Sequence, residues 1–540
     1  MTSGSNRVSV AALLLTSLSV GCGGGQSTPP PPPDFGLSVT PVSASAVVGQ
    51  DTTPVTISVA PGAGFSGGVA VNITGVPPGV TVSPSSSFSV AADATQTLSF
   101  SVSATVAAGM YPITIAGSAG SQAHSSQVLL TIEPIVTVTT YRSGSLLYLE
   151  SDAGDTTRIG LQTAWGGSIV EVSLNGTNYV NEHDTGREVQ FAQYDGNGSY
   201  GGCASSGVGC AWNPVQGGDL YDEGSPVLAQ TVGADSLYIK AQGYQWFPDD
   251  KGGGPGNPVL GDTYVEATVT AVTSHASTFK VHTKVTHFGT DAHANALQEF
   301  PAVYVNLEYP QFTRYGGYAP WTNAAVTMIT LPYLPSSIGT LYTPEQWAAF
   351  VDKNGNGLTV YIPGVFPYVG GFAAAGDPGP TGFGTNYFAP FAIYTFSPGA
   401  VLEGDVYLIA GDYRHARQVI YDLHNQLSVA DIFTPFGTVD SPQVNATVGG
   451  TTSVAGWTFD NVAVAEVDIF VDGVRAGMAN YGIPRPDVVK DFPSAPDGCG
   501  FSFSLDTRGY SNGTHTMQVR VVDTSGNTAV LPDIPVTVAN

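Results

Sequence analysis

Basic residues are scarce. The chain carries 17 Lys and Arg against 42 Asp and Glu, a net charge of −25. A surface of that sign repels nucleic acid and anionic lipid, so neither is an expected partner. Charged residues of both signs make up only 11% of the chain, so a dense cluster of them stands out. Cysteine is rare as well, with Cys22, Cys203, Cys210 and Cys499 the whole complement. A framework of many disulfides is thereby excluded. The apolar run Val10–Leu15 is too short to span a bilayer as a stable helix. Walker-type loops, a dinucleotide glycine fingerprint after a strand and His-Glu-x-x-His are all missing. Chemistry built on those motifs has no footing here.

Glycine and proline are plentiful, at 67 and 38. With abundant Val, Thr and Ser they favour short strands joined by turns, so the expected class is all-β. At 540 residues the chain is too long for one ordinary domain. Arg7, the short apolar run and Ser19-Val-Gly-Cys22 resemble a bacterial lipoprotein signal, with Cys22 the lipidation site. A plain secretory signal is the alternative. Pro29–Pro33 lies in a stiff linker. The expected order is a signal at 1–22, a Pro-rich linker at 23–35, an immunoglobulin-like domain at 36–134, a large β-sandwich at 135–432 and a second immunoglobulin-like domain at 433–540. The outer segments resemble bacterial surface and exported-enzyme modules through Gly75-Val-Pro-Pro-Gly-Val-Thr81 and through Val471-Asp-Gly-Val474. Export, with attachment to a membrane only through the lipid, is the expected localisation. In that oxidising setting Cys203 and Cys210, which flank a short loop, would close a local disulfide. Cys499 reads as a buried thiol.

The middle segment holds seven of the nine His and five of the six Trp. Within it, Asn181–Gln190 packs two Glu, an Asp, a His and an Arg into ten residues. Asn175-Gly176 just before it is a two-residue hairpin turn. The structural reading of the cluster is a salt-bridged loop with Arg187 clamped by Asp184 or Glu182. The functional reading is a polar wall for a hydroxylated ligand, with His183, Arg187, Gln190, Tyr194, Asp195, Trp212, Asn213 and Asp219 as contacts. Aromatic faces cover the apolar face of a sugar, and planar polar groups bind its rim.

A second cluster runs from His282 to Glu299. Period-two alternation places Phe279, Val281, Thr283, Val285 and His287 on one face of a strand. Glu299 lies between Gln298 and Phe300-Pro-Ala-Val, an apolar setting that would raise its pKa toward that of a general acid. His287, Asp291 and His293 could form a metal site, but no standard zinc spacing is met, and no metal is assigned. A core histidine beside exposed loop charges is the structural alternative. Asp352-Lys-Asn-Gly-Asn-Gly357 echoes the start of a calcium loop, yet position 363, where the twelfth-position Glu should fall, is Pro. Calcium is left open and no cofactor is otherwise expected. Thr343, Pro344 and Gln346 read as the cap of a short helix over Glu345–Val351, and His415–Asn425 as a second helix.

Trp165-Gly-Gly-Ser-Ile-Val-Glu-Val172, Asn175-Gly176 and Asp184-Thr-Gly-Arg-Glu-Val-Gln190 resemble the opening of galactose mutarotase-like domains. These are large antiparallel sandwiches found in aldose epimerases, glycoside hydrolases and polysaccharide lyases. Phe279–Asn306 resembles their later block, which carries a catalytic His in epimerases. Here that place holds Gln298-Glu299-Phe300-Pro301, a departure that weighs against epimerase activity. The resemblance implies a site on the concave sheet with His183 and Arg187 as ligand contacts. The resulting expectation is a monomeric, surface-tethered glycoside hydrolase or polysaccharide lyase. Glu299 would be the acid, with Asp184, Asp195 or Asp219 as its partner, or His287 or Tyr194 as a lyase base. The competing expectation is a non-catalytic glycan-binding or adhesive protein. The partner in either case is a polysaccharide or oligosaccharide.

Overall fold

The computed structural model describes residues 33–540 apart from 63, 196–211, 318–319, 332–336, 366, 428–434, 461–462, 492–494 and 496–497. The expected signal, most of the linker, Cys22, and the Cys203–Cys210 pair fall outside the described residues. The fold is almost entirely β, with sandwiches at both ends and a large antiparallel assembly between them.

The first sandwich pairs a four-stranded sheet with a five-stranded one. Its strands keep the alternation read from the sequence: Gly68–Thr74 is exposed and buried residue by residue. The buried set, including Val55, Ile57, Leu98, Phe100, Ile113, Ile115 and Leu130, forms one core. The last sandwich repeats the plan around Val454, Ile469, Phe501, Val519 and Val536. Its Val464–Val471 and Val474–Met478 strands turn at Asp472-Gly473, with φ of 49° and 78°. Both residues need the left-handed region, which Asp tolerates and Gly enters freely. Cys499 is fully buried beside Phe459 and Val488, as its sequence setting suggests.

In the middle, twenty strands join in one antiparallel network with pairings beyond sequence neighbours. The Thr278–His287 strand has Phe279, Val281, Thr283, Val285 and His287 buried, with the residues between them partly exposed. It pairs with Leu260–Ala271 on one side and Val401–Asp412 on the other. The His293–Asn306 strand pairs with Val189–Ala192 and Thr385–Phe396. The Asn175-Gly176 hairpin is present, with φ of 50° and 79°.

The helix expected at Thr343–Val351 is instead a strand. Trp347–Val351 pairs with Gln311–Arg314 and Asn356–Tyr361, and all five of its residues are buried. Gln346 has φ 61°, which no right-handed helix accommodates. A short run buried on both faces carries no period, so long-range pairing overrides the local cap pattern. Glu345 accepts from Arg417 Nε and Nη2 at 2.8 Å each, from Trp347 Nε1 at 2.9 Å and from Tyr421 Oη at 2.6 Å. That buried cluster fastens the one long helix, Tyr413–Leu427, to the sheet. The second expected helix is therefore present, two residues longer at each end. No helix among the described residues is long and apolar enough to cross a membrane.

The first sandwich meets the middle assembly through buried charge. Glu133, 1% exposed, ends the Gln122–Glu133 strand. It lies 3.7 Å from His275 Nδ1 and 3.6 Å from His415 Nε2, and accepts from the Ala276 N–H. Burial alone would raise its pKa, but His275 and His415 hold it below the usual carboxylate range. Asp422, on the helix beside it, is 4% exposed and is pushed up to about 6 by burial, against the pull of His275 and Ser45.

Candidate functional site

A small pocket of about 160 Å³ opens beside the His293–Asn306 strand. Val189–Ala192 supplies Gln190 and Ala192, its partner strand supplies Glu299, Ala302 and Tyr304, and Trp246-Phe247 closes one side. Register explains the grouping. Ala192 pairs with Glu299 and Gln190 with Ala302, so both strands turn one face to the same space. Gly186 lies under the Trp246 ring, where any Cβ would collide with it. The indole is therefore set against bare backbone.

Glu299 is the chemical centre of this pocket. Tyr194 Oη donates to its Oε2 at 2.8 Å, and Tyr387 Oη donates to Oε1. Withdrawal from water pushes the Glu299 carboxyl above its ordinary range, and the two phenols only partly offset this. The Tyr387 ring lies 5.0 Å from that of Tyr304. Gln298 does not face the pocket. It is 1% exposed and clamps the Tyr194 backbone, with Oε1 accepting from Tyr194 N and Nε2 donating to Tyr194 O. That clamp aims the Tyr194 phenol at Glu299. Gln190 Oε1 accepts from Gly217 N at 2.7 Å, and Asn213 Nδ2 donates to Gln193 O at 2.9 Å.

The other acids named from the sequence are occupied elsewhere. Asp184 accepts from Gly186 N and faces Arg187 at 3.4 Å. The Arg187 guanidinium lies 4.1 Å over the Phe383 ring and donates to the Phe383 carbonyl. His183 Nδ1 meets the Thr381 carbonyl at 2.8 Å, and its ring sits edge-on to Phe383. His183 and Arg187 thus contact the Thr381–Phe383 loop, and Asp184 faces Arg187. Asp219 is buried and shapes a turn, with Oδ1 accepting from Tyr221 N and Glu223 N. Asp195 accepts from Ala294 N and from His293 Nδ1.

His287 and Trp212 belong to a separate constellation. Asp262, His287, Asp291 and His293 bring one ligand atom each to within 4.8 Å of one another. Trp212 stacks on His293 at 3.7 Å and donates to Asp262. Sequence spacing assigned no metal here because Asp262 arrives from a different strand. Asp352-Lys-Asn-Gly-Asn-Gly357 is a hairpin turn in which Asp352 Oδ1 accepts from Asn354 N and Asn356 N, between two strands rather than after a helix.

Sequence reasoning missed Trp246, Phe247, Tyr304, Tyr387 and Glu188. The adjacent aromatics Trp246-Phe247 before Pro248 were a visible signal; Tyr387 had none short of the strand register. Glu188 is fully buried and accepts from Ser168 Oγ at 2.9 Å. Burial pushes its carboxyl well above the normal value. Its Oε1 and that of Gln190 both approach Gly217. Among the described lining residues, Glu299 is the single carboxylate.

Residues 435–519 match the family model of a bacterial Ig domain. No curated protein matches the chain at significance. Solved structures give faint likenesses. An endo-β-1,4-mannanase from Thermotoga petrophila is 17% identical over 23% of this chain and 23% of its own, at a TM-score of 0.16. The fibronectin(III)-like modules of Clostridium thermocellum CbhA are 14% identical over 19% of this chain and 94% of theirs, at 0.15. The four N-terminal Ig domains of Dscam1 isoform 7.44 are 9% identical over 94% and 99%, at 0.19. This chain spans under a quarter of the mannanase it matches. At such scores none of these likenesses bears on activity.

Proposed function

We propose that the middle sandwich takes one sugar residue of an extracellular glycan into the Glu299 pocket, and that the outer immunoglobulin-like domains present it. The observation that carries this is the lining: Trp246, Phe247 and Tyr304 around Gln190, Asn213 and a carboxyl whose two oxygens are both held by phenols. Flat apolar rings beside a few fixed polar groups suit a pyranose, which has an apolar face and a hydroxylated rim. The described lining residues include no cation, so a neutral sugar fits them better than a uronate.

Glu299, its pKa raised by burial, would donate a proton to a glycosidic oxygen. Tyr194 and Tyr387 hold the carboxyl in place. His183 and Arg187 shape the rim loop and are not ligand contacts in this reading. Hydrolysis by two carboxylates would need a partner that the described lining does not supply. Binding without cleavage is therefore the second reading, favoured by the single carboxylate.

The deciding experiment exposes the exported chain to a panel of neutral and acidic polysaccharides. Binding is read by calorimetry, and cleavage by reducing ends and unsaturated products. Glu299→Gln and Trp246→Ala are run beside the parent. Turnover lost in Glu299→Gln with binding kept establishes the acid. Binding with no turnover in any form establishes the second reading. Failure of every glycan to bind, or binding untouched by Trp246→Ala, removes the pocket from the account.

A further inference from the structure

Two buried histidines in this fold turn their Nε2 atoms toward one cluster of carboxylates. His287 is fully buried, and its Nδ1 meets the Ser397 carbonyl at 3.0 Å. A carbonyl only accepts, so Nδ1 carries a proton, and Nε2 is the ring nitrogen left to ligate. That Nε2 lies 3.2 Å from Asp262 Oδ2 and 3.9 Å from Asp291 Oδ1. His293 repeats the pattern. It is 4% exposed, and its Nδ1 meets Asp195 Oδ2 at 3.1 Å. Its Nε2 is buried without a hydrogen-bond partner, 3.8 Å from Asp291 Oδ2. Lone pairs of two rings and two carboxylates therefore converge on one point. Such an arrangement is what a cation organises.

We propose that Asp262, His287, Asp291 and His293 bind one divalent transition ion of the zinc class. Ligands 2.0–2.1 Å from a tetrahedral zinc lie about 3.4 Å apart. The 3.2, 3.8 and 3.9 Å separations lie within about 0.5 Å of that, and the four atoms, which all fall within 4.8 Å of one another, close by up to about 1.4 Å around the ion. Two imidazoles argue against calcium and magnesium, which take oxygen ligands. Two carboxylates neutralise the ion's charge. The outer contacts are already in place: Ser397 and Asp195 fix the two rings, and the Trp212 indole N–H takes Asp262 Oδ1, leaving Oδ2 for the metal. Trp212 also stacks on His293 and fixes its plane. Gly289 closes the turn over the cluster. A Cβ there would collide with both Asp262 Oδ2 and His287 Nε2. Asp291, on the solvent side at 66% side-chain exposure, gives the ion a way in.

The site stands whether or not the pocket binds sugar. It does touch the pocket's walls, because Asp195 follows Tyr194 and Trp212 precedes Asn213 in the chain. The test uses the full chain, stripped with chelator and titrated with Zn²⁺ by calorimetry and with Co²⁺ by visible absorption. The expected result is one ion per chain, a tetrahedral cobalt spectrum and a higher melting temperature with zinc. Asp291→Asn, in an exposed turn, should fold and bind at least tenfold more weakly. His293→Gln should abolish the cobalt spectrum. His282, which meets Glu403 and Asp405 on the partly exposed face, is the control for adventitious binding. His282→Gln should bind as the parent does. Absence of stoichiometric zinc, affinity unchanged in Asp291→Asn, or loss of binding in His282→Gln instead would overturn the proposal.

Discussion

The densest run of charge in the chain and the pocket carboxyl held by two phenols are different places. Asn181–Gln190 gathers Glu182, His183, Asp184, Arg187 and Glu188, and the structure spends His183, Asp184 and Arg187 on one another and on the Thr381–Phe383 loop. Glu299 has no charged neighbour in its pocket and is held by two phenols. Charges that find partners nearby are quiet. A lone carboxyl among rings has its pKa raised by the loss of water, the direction acid chemistry requires. The local count of charged residues therefore points to a clamp, and the isolation of one carboxyl points to the site.

The contrast can be broken at either end. The largest effect is expected from Glu299→Gln, which should cut glycan turnover by about 10²–10⁴ while leaving binding within a few fold. Because the folded pKa of Glu299 is raised, its acid form persists above the ordinary carboxylate range. Parent turnover should fall as pH rises through that folded value, and a pH profile of kcat checks it.

Next comes a carboxyl that is buried but lines no catalytic pocket. Asp422 has a folded pKa of about 6 against an ordinary 3.8. Raised in the folded state, it contributes stability that is complete below pH 3.8 and lost as pH rises through 6. Asp422→Asn should therefore raise stability at pH 8 by about 2–3 kcal/mol and change little at pH 4. Thermal melts at both values test this. Glycan binding should not move, and that separates burial from function.

Trp246→Ala should weaken binding at least tenfold through loss of the ring face, about 1.4 kcal/mol or more, read by calorimetry. The smallest effect belongs to the clamp. Arg187→Gln should cost about 1 kcal/mol or less in a denaturant melt and leave glycan affinity within twofold. A large loss of affinity there would restore the charged decapeptide as a ligand wall.

Much of the architecture was legible because its strands are half-buried. Gly68–Thr74 and Thr278–His287 alternate in sequence and again in burial, so faces could be assigned before any fold was known. Trp347–Val351 could not be read that way, since burial on both faces erases the period and left a misleading cap at Thr343. The site divides along the same line. Glu299 was visible from its apolar neighbours, which act locally. Tyr387 and Asp262 come from strands far apart in sequence, and only the antiparallel register brings them to Glu299 or to His287, while Trp246 follows the end of the Ser236–Gln245 strand. Gln298 and Asn213 were found as polar residues near the site, but one of them clamps a tyrosine rather than a sugar.

The Glu133 joint has a mechanical meaning. Only Pro134–Val136 lie between the last strand of the first sandwich and the Thr137–Ser143 strand of the middle assembly. Glu133 is pinned at that point between His275 and His415. A three-residue hinge locked by a buried carboxylate does not swivel. Drag on the middle assembly would pass straight into the first sandwich as torque on a lever, and the pocket's aim would be fixed by the joint rather than left to diffusion.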